Sequence, residues 1–230
     1  MNSFWKDKKV IAYVALMHHT RFIIPIMEKL MQLGASVRYI VGQAERSQEI
    51  TAVECGFDYY HVFEYPTEED LDDIQANYLR EREKFGQALS TDFAMGTQMV
   101  TVMDKTLYST AQEYIGFRNL LKKEKPDICF ALHEVNRWGK MFAFWSKKYN
   151  TPFITFQEGL GYDPNYGYIG QVQYCTMDLV WGERVRRKFS DFEAPVERIL
   201  PVGNTHLSEE ISRQKQDNIR NKIREKKSTS

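Results

Sequence analysis

A chain of 230 residues with 43% hydrophobic side chains sits near the upper end of one ordinary domain and carries enough apolar surface for a real core. Its 31 Lys and Arg balance 31 Asp and Glu, so no global field draws it to nucleic acid, and a DNA-binding role is disfavoured. The three cysteines, Cys55, Cys129 and Cys175, show neither paired zinc spacing nor a disulfide framework and read as reduced thiols, while the polar start and the lack of any run near 18 apolar residues place the protein in the cytoplasm.

In chain order, Val10 to Leu16 is a short apolar run of strand formers, the pattern of a strand buried on both faces. From Arg21 to Leu33 apolar residues recur at helical spacing, and Gly34 supplies the stop. Ser36 to Val41 resumes a strand, completing a β-α-β unit with its right-handed crossover. Ala44 to Val53 predicts a short helix and Tyr59 to Phe63 a third strand. Thr67-Glu68-Glu69-Asp70 resembles a capping box opening two or three helices up to Lys125, with Gly86, Gly96 and Gly116 as interruptions.

Ile128 to Leu132 predicts a fourth strand, Asn136 to Tyr149 an aromatic-rich helix whose Phe142, Phe144 and Trp145 read as core, and Pro152 to Phe156 a fifth strand. Met177 to Trp181 and Arg198 to Val202 predict the last two, with the basic helix Glu183 to Phe189 between them. The fold class is therefore α/β: a Rossmann-like, doubly wound parallel sheet in residues 1–206. Residues 207–230 carry too few apolar side chains for a new core and predict a solvated helical tail.

Open parallel sheets bind ligands beyond the carboxyl ends of their strands, so the polar residues that follow strands are the candidates for chemistry. The turn after the first strand is Met17-His18-His19-Thr20-Arg21, and it lacks the Gly-x-Gly-x-x-Gly of a dinucleotide site, which sets aside a nicotinamide or flavin oxidoreductase. His18, His19 and Arg21 suit general-base work or phosphate binding, against the plain alternative of a solvated turn. The histidine pair has no third ligand at a recognisable spacing, so no metal is expected, and no cofactor.

His133, Glu134 and Asn136 follow the fourth strand and can hold sugar hydroxyls, or, for Asn136, cap the next helix. Gln157, Glu158 and Gly159 follow the fifth, with Glu158 a candidate acid or base. Tyr162, Tyr166 and Tyr168 offer a stacking surface for a sugar ring or a loop packed on the core. Arg184, Arg186, Arg187 and Lys188 form a solvated helix face or, if functional, a contact with the inner face of the membrane or with an anionic acceptor.

From Phe153 onward the strings Phe-Ile-Thr-Phe-Gln-Glu-Gly-Leu-Gly, Asp178 to Gly182 and Glu197 to Thr205 (Glu-Arg-Ile-Leu-Pro-Val-Gly-Asn-Thr) are distinctive. They resemble the end of the N-terminal domain in the GT-B superfamily that holds UDP-N-acetylglucosamine 2-epimerases, CDP-glycerol glycerophosphotransferases and related surface-polysaccharide enzymes. Where the epimerase pattern has His-x-Glu-Ala-Gly-Leu-Arg, this chain has Phe156-Gln157-Glu158-Gly159-Leu160-Gly161, and the Pro-Glu-Glu-x-Asn-Arg signature is missing, so the resemblance implies transfer rather than epimerisation.

It further implies that residues 1–206 bind a sugar or polyol-phosphate acceptor, that Gly203 and Asn204 mark the hinge to a second domain begun by 207–230, and that a nucleotide-sugar donor is held only through that second domain. Glu158, His18 or His19 would deprotonate the acceptor, with Arg21, His133, Glu134, Asn136, Gln157, Gly159 and Tyr162 around it. Alone, the chain is expected to be inactive. The competing expectation is a non-catalytic binding or partner module, for which the histidines and Glu158 need not share one cleft.

Overall fold

The computed structural model describes residues 4–14, 17–41, 52–88, 93–159 and 171–204. Seven strands form one sheet in the order β3-β2-β1-β4-β5-β6-β7, every neighbouring pair parallel. They are β1 (Lys9–Val14), β2 (Ser36–Val41), β3 (Asp58–His61), β4 (Ile128–Ala131), β5 (Phe153–Phe156), β6 (Met177–Val180) and β7 (Ile199–Pro201). The helices are α1 (Thr20–Gln32), α2 (Glu68–Ala88), α3 (Phe93–Glu124), α4 (Arg137–Lys148) and α5 (Glu183–Ser190).

The period-2 alternation of a strand divides β1 between two cores. Val10, Ala12 and Val14 pack with Phe22, Ile23, Met27 and Leu30 of α1, whereas Ile11 and Tyr13 pack with Phe117 and Leu120 of α3 and Phe142 of α4. Helices thus cover both sides of the sheet, which is why its strands read as unbroken apolar runs. The chain passes from β1 to β2 on one side and later from β4 outward on the other, so the order reverses between β1 and β4.

Local chemistry explains most boundaries. Gly34, at φ 94°, takes the left-handed conformation that ends α1. At the start of α2 the Thr67 hydroxyl accepts the Asp70 N–H at 3.1 Å and the Asp70 carboxylate accepts the Thr67 N–H at 3.0 Å, the reciprocal pair of a capping box. After β3 the chain turns into a 3-10 helix, Val62–Glu64, so the expected strand ends at His61 rather than Phe63.

The glycines between 67 and 125 correct an expectation. Gly86 lies inside α2, and Gly96 and Gly116 inside α3. Gly116 is needed for packing: a Cβ there would lie 2.1 Å from the Val62 carbonyl oxygen. Two helices result, joined through 89–92, outside the described residues. The helix expected over 44–53 falls mostly outside them too, with 52–54 helical, as do the tail 207–230 and the tyrosines 162, 166 and 168. Cys129 and Cys175 are buried and free, as is the half-buried Cys55. No helix among the described residues is long and apolar enough to cross a membrane.

Candidate functional site at the strand-order reversal

Three of the five histidines and one carboxylate meet where the strand order reverses. His18 and His19 sit in the 3-10 turn Met17–His19 that follows β1, His133 follows β4, and Glu158 follows β5. The Glu158 carboxylate is shared: its Oε1 lies 2.7 Å from His18 Nε2 and its Oε2 lies 3.1 Å from His133 Nε2. His19 stacks edge-on against both neighbours, with ring centroids 4.5 Å from His18 and 5.4 Å from His133.

Exposure grades across the cluster. The His18 side chain is 46% exposed and that of Glu158 21%, whereas His133 is 8% and His19 2% exposed. The hydrogen bond from His133, and after it that from His18, outweighs burial and holds Glu158 well below the usual carboxylate range. Burial, reinforced by the neighbouring His133, lowers the pKa of His19 as well, to about 3, and so keeps that imidazole neutral. An ionised carboxylate only accepts hydrogen bonds, so both Nε2 atoms facing it carry the hydrogen, and the basic nitrogen of neutral His18 is Nδ1. The arrangement is a partly exposed imidazole oriented by a carboxylate, which a second imidazole fixes from behind.

Solved structures share this architecture. The Neisseria meningitidis UDP-GlcNAc 2-epimerase bound to UDP-GlcNAc superposes with a TM-score of 0.56 at 10% identity, covering 86% of this chain and 47% of that one. Acinetobacter baumannii MurG gives 0.55 at 7% identity, with 89% and 47% covered. Anabaena Alr3699/HepE in complex with UDP and glucose gives 0.52 at 8% identity, with 86% and 44% covered. The fold is that of a GT-B half. No protein-family profile matches the sequence, and no curated protein matches it. The chain spans about half the length of these solved structures.

Within this GT-B-type half, the expected site residues part into two groups. His18, His19, His133 and Glu158 converge. Glu134, Gln157 and Asn136 hydrogen-bond within the protein, Asn136 as the helix cap that its sequence position also offered. Glu134 is fully buried and accepts the backbone N–H groups of Tyr174 and Cys175 at 2.9 and 3.0 Å, while burial pushes its carboxyl up to about 7 against those bonds. Gln157, 2% exposed, donates to the Gly159 carbonyl at 2.8 Å and accepts the Trp181 N–H at 2.7 Å. Asn136 caps α4 by accepting the Gly139 N–H at 2.7 Å.

These three residues brace the loops that carry the cluster. Gln157 ties the turn holding Glu158 to the end of β6, and Asn136 fixes the helix behind His133. Arg21 lies in the first turn of α1, its side chain outside the described residues, as is Tyr162. Gly159 has open space where a Cβ would be. Gly203, at φ 90°, turns the chain after β7, with Asn204 next.

Sequence reasoning missed the polar core beneath the cluster. Thr155 donates to Asp178 at 2.7 Å, Gln171 donates to Asp178 at 3.2 Å, and the Gln171 side-chain Oε1 accepts the Glu134 N–H at 3.1 Å. The buried Glu113 in α3 accepts from Trp138 at 2.8 Å and faces Arg137 at 3.4 Å. Thr155 and Asp178 stand in apolar strands, where a polar residue is the only available signal. Glu113 is hidden among the polar residues of a long helix.

Proposed function

We propose that this chain is the acceptor-side half of a nucleotide-sugar-dependent transferase of surface-polysaccharide synthesis. The observation that carries the reading is the convergence of His18, His133 and Glu158, from three separate strand ends, on the point where the strand order reverses. A carboxylate oriented between two imidazoles is an arrangement suited to proton transfer, which favours the transferase reading over a binding module. The solved structures with this fold include complexes with UDP-GlcNAc and with UDP and glucose, which supports a nucleotide sugar as donor, held by a second domain.

In this reading His18 accepts the proton of the acceptor hydroxyl through Nδ1 as that oxygen bonds to the donor's anomeric carbon. The bond from that carbon to the phosphate oxygen breaks, and the nucleoside diphosphate leaves with its electron pair. Glu158 stabilises the imidazolium and fixes its ring, while His133 keeps the carboxylate in place. Gly203 and Asn204 are the hinge, and the basic face of α5, with Arg184 and Arg187 exposed, is the segment that would meet an anionic membrane surface.

The test is a transfer assay with a GT-B donor domain joined after Asn204. His18→Ala should lower kcat by roughly 10²–10⁴ with little change in KM for donor, and Glu158→Gln should lower it through loss of the same orientation. Transfer that proceeds unchanged in both variants would remove the assigned roles.

A further inference from the structure

The cluster has a property beyond transfer: we infer that His18, His19 and Glu158 form a binding site for a divalent transition-metal ion, of which Zn(II) is the best fit. One ligand atom from each of the three lies within 4.8 Å of the other two. The donors come from two strand ends, so the third ligand is set by tertiary contact and no spacing in the sequence reveals it.

A second observation points the same way. His19 is 2% exposed, and its Nε2 is buried without a hydrogen-bond partner. A buried imidazole nitrogen left unsatisfied is costly, and an ion between His19, His18 and Glu158 would supply its partner. Neutral imidazole is the ligating form.

The donor set selects the class of ion. Two imidazoles and one carboxylate suit Zn(II), Co(II) or Fe(II), whereas Mg(II) and Ca(II) prefer all-oxygen shells. Three protein ligands leave a fourth position for water. Bonds of about 2.0–2.2 Å put tetrahedral ligand atoms about 3.3–3.6 Å apart, so the 2.7 Å contact between His18 and Glu158 opens by less than an ångström, and the other separations, all within 4.8 Å, close by at most about 1.5 Å. His133, 3.1 Å from the outer carboxylate oxygen, already stands where a hydrogen-bonding group orients a ligating carboxylate. Coordination through His18 Nε2 moves its imidazole proton to Nδ1, so the ion replaces the hydrogen shared with Glu158 and leaves no basic nitrogen on His18. Metal-bound and proton-accepting forms are therefore alternative states of one cluster, and binding does not depend on the transfer reading.

The experiment is titration of the tag-free, chelator-treated chain with Zn(II) by calorimetry, and with Co(II) by visible absorption. One ion per chain is expected, with the intense d–d bands of four- or five-coordinate cobalt. His19→Ala and Glu158→Gln should each weaken binding about 100-fold or more, and His133→Ala about 10–100-fold, while His61→Ala leaves it unchanged. Circular dichroism checks that each variant is folded; if His19→Ala is not, the exposed His18→Ala takes its place. Absence of stoichiometric binding, or binding that survives both His18→Ala and Glu158→Gln, overturns the assignment. Either result stands apart from the transfer assay, which reads loss of turnover and not occupancy.

Discussion

A methyl group added at Gly139 would sit 2.1 Å from the carbonyl oxygen of His133 and 3.0 Å from the Cα of Glu134. The first turn of α4 therefore packs directly on the loop that carries one histidine of the cluster, and only a residue without Cβ permits it. Both neighbours are backbone and cannot swing aside. Gly139→Ala should lower stability by about 1–3 kcal/mol, read as a lower Tm, and should displace His133. Gly86, inside α2 with nothing within 4 Å of its missing Cβ, gives the opposite sign: Gly86→Ala should raise stability by about 0.5–1 kcal/mol through the unfolded chain's lost freedom. Equal losses at both positions would contradict the packing argument. The two glycines look alike in sequence, because what distinguishes them is a carbonyl brought from another part of the chain.

Among the elements, α2 is joined to α3 through Asp70. Its carboxylate serves the Thr67 cap, takes Arg118 at 2.6 Å and takes Asn119 at 2.7 Å, both on α3. Burial opposes ionisation of Asp70, and the bonds from the Thr67 N–H, Asn119, the Thr67 hydroxyl and Arg118 prevail, lowering its pKa to about 2. A folded-state value below the unfolded one of about 3.8 means that the group binds fewer protons when folded. Its stabilisation is fully present above pH 4 and is lost as pH falls through 2. Asp70→Asn should thus cost about 1–2 kcal/mol at pH 6 and much less at pH 2, so the Tm curves of the two proteins converge on acidification. A gap that stays constant from pH 6 to pH 2 would show that the charge of Asp70 is not what holds the two helices.

For the whole molecule, the parallel sheet was legible because burial on both faces writes itself as runs such as Val10 to Val14 and Ile128 to Leu132, and because Gly34 and Asn136 are chemically apt for the boundaries they mark. Ser36 to Val41 appears with its expected ends. The candidate cluster was legible in its members, since polar residues after strands stand out, but less so in the neighbours each one meets. Glu134 and Glu158 are equivalent to a reader of sequence: each follows an apolar strand. Their difference lies in the neighbours that folding supplies, backbone N–H groups around Glu134 and imidazoles around Glu158. The metal-ligand geometry was hidden for the same reason, Glu158 lying 140 residues from His18.

The central claim is that the His18–Glu158–His133 cluster meets the acceptor. Its most direct test is the imidazole NMR spectrum of the isotopically labelled, metal-free chain during titration with a panel of sugars, sugar phosphates and polyol phosphates. The account predicts saturable shifts of the His18 and His133 ring resonances with at least one compound, with His61 unmoved, and loss of those shifts in Glu158→Gln. A panel that leaves both rings unmoved, or that shifts His61 alone, would contradict it.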